Sequence, residues 1–273
     1  MDNNTTPLPG YWLALVRCSG RDRLSFLQGQ LTQDVAALNA ERLALPAACC
    51  DPKGRVIATM TLVWQPDEIV MVLHHEVAEA LVKHLLKYRL RADVQLDLHP
   101  TLSVTASLAK NTGHEVAMWR KDTNGWRVGV LHEELIAISD QHRYVCVANE
   151  RWQQLRLAAG VLDLPLASSA QYTSHMLNLD QIGAISFTKG CYTGQEIVAR
   201  TEHRGQVKRR ASLMRVRTDR HLGVSAGQTV LADGSKVGTV VCSAGHVLSA
   251  VCNPVADRSA LTLDDGRDLV QLD

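Results

Sequence analysis

The 273-residue sequence is poor in aromatic residues and carries almost no net charge. Aromatic side chains make up 4% of it, and Phe26 and Phe187 are the only phenylalanines. So few rings cannot form a surface that stacks several bases, the common way of binding single-stranded nucleic acid. The 29 Lys and Arg residues nearly balance the 28 Asp and Glu residues, which leaves a formal net charge of +1. Any contact with RNA or DNA would therefore be a local basic patch.

Long apolar runs and the common targeting segments are also missing. No run approaches the ~20 residues that a membrane-spanning helix needs. The polar start, Met1 to Thr6, lacks the basic and apolar regions of a secretory signal. Seven cysteines form an odd number without a disulfide-framework spacing, and there is no Cys-x-x-Cys pair. The sequence therefore predicts a cytoplasmic protein with free thiols, no membrane contact and no tightly bound metal.

One candidate metal site remains, formed by Cys242, His246 and Cys252, which offer three ligands of types that zinc accepts. The pattern lacks a fourth ligand, so we favour cysteines in a β-sheet core. Cys49 and Cys50 are adjacent, and consecutive residues of a strand face opposite sides of the sheet. We expect these two cysteines to be small packing residues.

The apolar pattern divides the chain into three parts, which we assign to residues 1–100, 101–205 and 206–273. In the first part, apolar residues at helical spacing predict helices over Asp22–Leu38 and Glu76–Leu90. Runs typical of β-strands precede, separate and follow these helices. This order favours an α+β layer, in which helices cover one face of an antiparallel sheet.

The second and third parts show the same kinds of signal. Strand-like runs precede a predicted helix over Asn149–Ala159, which Gly160 would end. These runs are residues 102–108, 126–131 and 144–147. An irregular stretch follows the helix. After Arg210, short β runs alternate with glycine-containing turns, a spacing that fits a small antiparallel barrel.

The most informative segment is Lys189-Gly-Cys-Tyr-Thr-Gly-Gln-Glu196, which we call the cysteine motif. Thr193 and Glu196 have the spacing of a capping box, so a helix should begin just after Thr193. Cys191 then lies in the turn before a helix N-terminus, where unpaired N–H groups and the helix dipole favour an anion. Lys189 adds a nearby positive charge, so we expect the thiolate of Cys191 to be enriched.

Two alternatives stay open for this segment. The same N–H groups could bind a carboxylate or phosphate of a ligand, with Gly190 and Gly194 allowing close approach of the backbone. Cys191 could also be a packing residue at an ordinary strand–turn–helix junction. The glycines, the lysine and the capping spacing together favour a functional thiol. The other cysteines lie in predicted strands or at their ends, and we expect small apolar packing residues at Cys18, Cys49, Cys50, Cys146, Cys242 and Cys252.

The cysteine motif resembles the signature of the YgfZ-type folate-binding proteins, relatives of the glycine-cleavage T-protein, an aminomethyltransferase. The similarity extends to Phe26–Val35, which resembles the family's N-terminal helix. Asp51-Pro-Lys-Gly-Arg55 resembles its first hairpin and has the residues of a type I turn. Residues 156–165 and 176–179 resemble the approach to the signature, and residues 196–210 resemble the exit from it.

The resemblance implies a T-protein-like α+β fold, with two α+β domains around a central cleft for tetrahydrofolate and a small C-terminal β-barrel. It implies an accessory role in the assembly, repair or activity of iron–sulfur enzymes, including those that thiomethylate tRNA. Such enzymes or their assembly factors would be the partners. Cys191 would be the essential thiol, and Gln195 and Glu196 would fix the loop and the helix start. Lys189 and Arg200 would supply positive charge near the folate or its glutamate tail. The ligand-binding residues implied in this way are Lys189, Gly190, Tyr192, Gly194, Gln195, Glu196 and Arg200.

Arg200, Arg204, Lys208, Arg209 and Arg210 form the densest basic cluster of the sequence. This cluster could contact an RNA backbone, which allows for a weak tRNA contact, or a folate polyglutamate. It could equally be a solvated helix end whose cations complement the C-terminal dipole.

Two further functions therefore stay open beside the accessory role. One is a folate-dependent aminomethyltransferase like the T-protein, and the other is an RNA-binding module that uses the basic cluster. T-proteins lack the cysteine motif, so the sequence favours an accessory protein over a transferase.

Overall fold

A computed structural model describes most of the chain, in seven ranges: residues 13–42, 44–99, 120–122, 125–127, 149–217, 223–254 and 260–272. The strands predicted at 102–108 and 144–147 lie outside these ranges, as do Cys146 and the last four residues, 128–131, of the strand predicted at 126–131. The division into residues 1–100, 101–205 and 206–273 stays a prediction.

The first unit is a five-stranded antiparallel sheet with two helices. Its strands are β1 Leu13–Ser19, β2 Ala44–Cys50, β3 Val56–Trp64, β4 Glu68–His74 and β5 Gln95–His99. They are ordered β2-β3-β4-β1-β5 across the sheet. Its helices are α1 Arg23–Gln28 and α2 His75–Leu86. This arrangement confirms the predicted α+β layer.

The strands of this sheet send alternate residues to its two faces. Val16 and Cys18 of β1 pack in the same core as Leu81 of α2, which covers one face. Leu13 and Leu15 of the same strand belong to a separate apolar cluster on the other face. The helices therefore cover one side of the sheet, and its other side is apolar as well.

The predicted helix over Asp22–Leu38 is wrong beyond Gln28. Helix α1 ends there, and only a short 3-10 turn at Val35–Ala37 follows. Between the two, the Thr32 N–H donates to the Ala48 carbonyl on β2 at 2.9 Å. The apolar spacing identified buried positions correctly, but a backbone that bonds to a neighbouring strand cannot also form helical hydrogen bonds.

Helix α2 is also shorter than predicted, since it ends at Leu86 rather than Leu90. Leu90 has a φ of +43° and is 88% exposed. A residue in the left-handed region cannot continue a right-handed helix, so the helical pattern stops before it.

The described residues in the middle of the chain form two helices, α3 Asn149–Ala158 and α4 Gln195–Arg204. It also contains a short hairpin of β6 Arg120–Asp122 and β7 Gly125–Arg127. Gly160 adopts a φ of +79° after α3, as predicted for its C-terminal end. The segment between α3 and α4 is mostly irregular, as expected. No helix within the described part of the chain is long and apolar enough to cross a membrane.

The C-terminal part is a closed barrel of six antiparallel strands, as predicted. The strands are β8 Arg210–Val216, β9 Thr229–Ala232, β10 Ser235–Ala244, β11 Val247–Cys252, β12 Leu261–Leu263 and β13 Asp268–Gln271. Met214 and Val216 of β8 point into the barrel core. Ala211 and Leu213 pack outside it, in the cluster that also contains Leu157 of α3. The outer face of the barrel therefore joins it to the middle of the chain.

Five of the predicted packing cysteines are buried, namely Cys18, Cys49, Cys50, Cys242 and Cys252. Cys49 lies in the core beneath α1 and α2, and its neighbour Cys50 lies in the cluster around α3, as expected for adjacent strand residues. Burial raises the pKa of both Cys18 and Cys50 to about 12, so these thiols stay protonated at neutral pH. Cys242 and Cys252 belong to different cores, which excludes a shared metal site.

Candidate functional site

Cys191 is exposed on the turn that leads into α4. This position confirms the prediction that the thiol lies directly before a helix N-terminus. Every other cysteine in the described ranges is buried. Cys191 is thus the one thiol of that part of the chain that a reagent or partner can reach without unfolding.

The predicted capping box of Thr193 and Glu196 is wrong. The N-cap of α4 is Gly194, with a φ of +83°, and no side chain caps the helix. The Thr193 hydroxyl donates instead to Gln30 Oε1 at 3.3 Å, and the Thr193 N–H donates to the Gly29 carbonyl at 3.3 Å. The threonine therefore holds a segment distant in sequence rather than the first turn of its own helix.

The Lys189 ammonium group binds three backbone carbonyls of the segment that follows α1. Its Nζ lies 2.6 Å from the Gln28 oxygen and 2.8 Å from the oxygens of Leu31 and Gln33. Burial lowers the pKa of Lys189 to about 8, so the amine is protonated at neutral pH. An ammonium group has three N–H donors, and here each has a carbonyl acceptor. The charge of Lys189 is therefore used to shape the loop around Cys191.

The cysteine motif is attached to residues 28–34 on both sides of Cys191. Before it, the Ser186 N–H donates to the Thr32 carbonyl at 2.9 Å, and Lys189 makes its three bonds. After it come the two bonds of Thr193. The exposed thiol is therefore carried on a short loop whose two ends are fixed by hydrogen bonds.

Two glycines bring the β2–β3 turn against the start of α4. The predicted turn is formed, since the Gly54 N–H donates to the Asp51 carbonyl at 2.9 Å. A Cβ added to Gly194 would lie 2.6 Å from the Asp51 oxygen, and one added to Gly54 would lie 2.8 Å from Ile197 Cβ. Both glycines have positive φ, +83° and +71°. Only glycine fits either position, because space and backbone conformation both exclude a side chain.

The implied ligand-binding residues have different surroundings. Gly190, Glu196 and Arg200 are exposed, and Gln195 is half-buried. Tyr192 is only 7% exposed, and its ring centroid lies 5.1 Å from Lys189 Nζ, a cation–π distance. Tyr192 thus packs beneath the loop.

A hydrogen bond and an ion pair on the far side of α4 were not expected from the sequence. His175 is buried and its Nε2 lies 3.0 Å from Glu202 Oε2 of α4. Arg210 donates to both oxygens of Asp180, at 2.9 and 3.0 Å, and to the His175 carbonyl. Partners 27 to 35 positions away leave no periodic signal in a sequence.

The Arg210–Asp180 pair changes what was expected of the basic cluster at its C-terminal end. Arg210 is half-buried and engaged by Asp180, so it is a structural residue rather than part of an exposed patch. Arg200, Arg204, Lys208 and Arg209 are exposed. We call these four residues the basic strip.

Among the described residues, His175, Asp180 and Glu202 form the one group with ligand atoms close enough for a metal, within 4.8 Å of one another. Arg210 already bonds both Asp180 oxygens there, and its charge opposes a cation. The group is therefore better explained as the Arg210–Asp180 ion pair beside the His175–Glu202 hydrogen bond than as a metal site.

A cavity of about 350 Å³ lies where the first sheet, the middle segment and the barrel meet. Glu76 at the start of α2 lines one side, Asp163 lines another, and Ala226 and Ser243 come from the barrel part. The structure thus contains a cavity between the three parts of the chain, which we call the central cavity, and no residue of the cysteine motif lines it.

The polar groups of this cavity are held in place. Asp163 accepts two bonds from Arg156, at 2.6 and 2.7 Å, and both side chains are only 10% exposed. Glu76 accepts the Leu166 N–H at 2.9 Å. His74 accepts the Glu76 N–H on Nδ1, and burial lowers the His74 pKa, so the neutral ring carries its proton on Nε2. The cavity therefore offers fixed hydrogen-bond acceptors and a donor.

We predict that Lys189→Met lowers the free energy of unfolding by about 2 kcal/mol. Three carbonyls lose their donor, at about 1–3 kcal/mol for each buried unsatisfied group, while removal of a buried charge offsets part of the loss. Urea unfolding at pH 7 measures the change, and hydrogen exchange should show loss of protection at residues 29–34. Lys53→Met, at an exposed lysine, is the matched control. Equal stability of the two variants would contradict the structural role of Lys189.

We predict that Gly194→Ala destabilises the protein by about 2 kcal/mol, because alanine needs a different φ and its Cβ would meet the Asp51 oxygen. Gly190→Ala is the matched control, since nothing lies within 4 Å of a Cβ built there. Urea unfolding of both variants tests the prediction. A Gly194 variant as stable as the Gly190 variant would show that the turn and α4 do not depend on this close contact.

The sequence of the chain was compared with those of known proteins. No protein-family model matches the chain. It is 29% identical to the tRNA-modifying protein YgfZ of Hamiltonella defensa subsp. Acyrthosiphon pisum (strain 5AT), over 71% of this chain and 65% of that protein. It is 30% identical to the tRNA-modifying protein YgfZ of Yersinia pseudotuberculosis serotype IB (strain PB1/+), over 72% of this chain and 66% of that protein. The matches thus span slightly less than two thirds of these relatives.

The fold has a counterpart among solved structures. The glycine cleavage system aminomethyltransferase T from Bartonella henselae superposes on it with a TM-score of 0.60. The superposition covers 95% of this chain and 82% of that chain, at 14% sequence identity. That likeness shows the fold alone, and it confirms the expected T-protein-like architecture. With these two lines of similarity, the chain is a sequence homologue of the YgfZ proteins and has the fold of the glycine-cleavage T-protein.

Proposed function

We propose that this protein is a folate-binding accessory protein that supports the assembly, repair or activity of iron–sulfur enzymes, including those that thiomethylate tRNA. The observation that carries the proposal is the exposed Cys191, held between fixed hydrogen bonds in a sequence homologue of the YgfZ proteins. Iron–sulfur enzymes or their assembly factors are the proposed partners, and tetrahydrofolate is the proposed cofactor.

The surroundings of Cys191 support a working thiol rather than a packing residue. A packing cysteine is buried, as the other cysteines of the described ranges are, whereas Cys191 is exposed. The ammonium group of Lys189, which is partly buried, also bonds three backbone carbonyls and so fixes the adjoining loop. Burying a charged group costs free energy unless it is well paired, so a loop of this construction indicates that its shape matters.

The central cavity supports the folate part of the proposal. Its volume of about 350 Å³ is within the range of small-molecule sites, roughly 300–1,000 Å³. The pyrimidine edge of a pterin presents N–H donors beside a carbonyl acceptor. Glu76 and Asp163 supply carboxylate oxygens, and the Nε2 proton of His74 supplies a donor, so the lining fits a pterin ring.

When bound, tetrahydrofolate would supply one-carbon or reducing chemistry. The chain's own residues would bind and orient it: Glu76 and Asp163 would accept the ring N–H groups, and the two hydrogen bonds from Arg156 would hold Asp163 in place. Lys189 is bonded to backbone carbonyls, so the proposed positive charge for the glutamate tail falls to the exposed Arg200.

We predict that Cys191→Ala and Cys191→Ser abolish the activity of the protein in cells without abolishing folding. In a bacterial strain that lacks its own homologue, each variant should restore neither iron–sulfur enzyme activity nor thiomethylated tRNA, measured by mass spectrometry. Cys18→Ala, at a buried cysteine, is the control and should restore both. A folded Cys191→Ala variant that restores both readouts would remove the thiol from the proposal.

We predict that tetrahydrofolate binds the full chain and that Ala226→Trp weakens binding by at least about tenfold, equivalent to about 1.4 kcal/mol. The indole would fill the central cavity, which Ala226 lines. Isothermal titration measures the affinity, and Ala36→Trp, at an exposed alanine outside the cavity, is the matched control.

Two outcomes of this titration would count against the folate part. One is absence of binding at millimolar tetrahydrofolate, and the other is equal affinity of the two tryptophan variants. The same samples test the transferase alternative: formation of 5,10-methylenetetrahydrofolate from an aminomethyl donor would establish catalysis in place of an accessory role.

A further inference from the structure

One end of the C-terminal barrel opens into a second cavity, of about 310 Å³. The residues around it come from the start of β8, the end of β11, the start of β12 and the end of β13. In an antiparallel barrel these positions lie at the same mouth. The floor is apolar, with Met214, Cys252 and Leu261 among its residues, and Met214 and Cys252 belong to the barrel core.

The rim of this mouth carries neutral polar groups of both kinds. Ser212, Asn253 and Gln271 line it, and their hydroxyl and amide groups each offer both donors and acceptors. Arg210 also lines the mouth, where Asp180 holds its guanidinium group. A ring with a mixed donor and acceptor edge matches this rim better than an alkyl chain does.

The mouth is continuous with the basic strip of Arg200, Arg204, Lys208 and Arg209. Lys208 belongs to both, since it lines the cavity and is exposed. Arg200 and Arg204 are four residues apart on α4, which places them on one face of the helix. Two exposed cations therefore lie on one face of α4 and a third lines the cavity, although the protein as a whole has a net charge of only +1.

We propose that the barrel mouth binds one nucleotide of a single-stranded RNA, with the base in the cavity and the neighbouring phosphates on the basic strip. Apolar side chains cover the faces of the ring, the amides of Asn253 and Gln271 bond its edge, and Lys208 meets the phosphate. A volume of about 310 Å³ suits one nucleotide, in agreement with the scarcity of aromatic residues for stacking several. This site goes beyond the proposed folate and thiol functions, and Arg200 is the one residue that it shares with the proposed folate site.

The first experiment measures the binding of a fluorescein-labelled single-stranded hexaribonucleotide to the full chain by anisotropy, between 50 and 200 mM salt. If four cations contact phosphates of a single strand, the logarithm of the binding constant should fall with the logarithm of the salt concentration at a slope of about −3. The affinity should therefore drop roughly 50-fold over this range. Lys208→Ala should reduce the slope by about 0.7. Lys87→Ala, an exposed lysine on the first unit, is the matched control and should leave it unchanged.

The second experiment separates the mouth from the strip. Ser212→Phe should block the cavity and weaken hexaribonucleotide binding by about tenfold, and Gln271→Ala should weaken it by about fivefold through the lost base contact. Gln95→Ala, at an exposed glutamine of β5, is the control. Urea unfolding of each variant shows whether it folds. If the Ser212→Phe variant does not fold, the Gln271→Ala variant tests the proposal alone.

The ribonucleoside monophosphates AMP, GMP, CMP and UMP, followed by NMR, distinguish a free nucleotide from a strand. Shifts confined to the mouth, together with tighter binding of the hexamer than of any monophosphate, support the proposal. The proposal is overturned if both mouth variants bind the hexamer as tightly as the unchanged protein does. It is also overturned if neither the hexamer nor any monophosphate binds. Tetrahydrofolate binding should be unaffected by Ser212→Phe, and RNA binding by Ala226→Trp, so failure of one site is distinguishable from failure of the other.

Discussion

The contact between the Lys189 ammonium group and three backbone carbonyls determines how the first unit and the cysteine motif fit together. The carbonyls of Gln28, Leu31 and Gln33 converge on one nitrogen, which requires that α1 stop at Gln28. In a continued helix these oxygens would point along the axis to N–H groups four residues on. A single side chain from far along the sequence thereby sets the course of the segment after α1, and that segment in turn fixes the loop of Cys191.

Backbone groups make most of the contacts around the thiol. Gly54 and Gly194 bring two backbones together where no Cβ fits, and Thr193 donates to the Gly29 carbonyl. Such contacts constrain the shape of the chain strongly but constrain the identity of only a few side chains. Lys189 and Gly194 of the motif therefore fix the shape of the loop. The exposed Cys191 is the residue that this loop presents to solvent.

The sequence predicted those features that local signals determine. Alternation placed Cys49 and Cys50 on opposite faces, the Asp51–Gly54 turn formed as its residues indicated, and short β runs after Arg210 predicted the barrel. It failed where a distant partner competes with a local one. Thr193 has the spacing of a cap but bonds Gln30, and Arg210 looks like a surface cation but pairs with Asp180. Neither partner is visible in a local pattern, because each depends on how separate segments are packed.

The hairpin of β2 and β3 connects the thiol to the central cavity. Its turn touches Gly194 of the cysteine motif, and Thr59 on β3 bonds both the Leu162 carbonyl and the Leu164 N–H, on either side of Asp163. Four residues lie between Gly54 and Thr59, and the five steps of extended chain from one to the other span about 16 Å. One rigid hairpin therefore positions both sites while keeping them apart. A ring held by Asp163 would not touch the Cys191 sulfur, so any cooperation between folate and thiol requires either the length of the folate tail or a partner that reaches both.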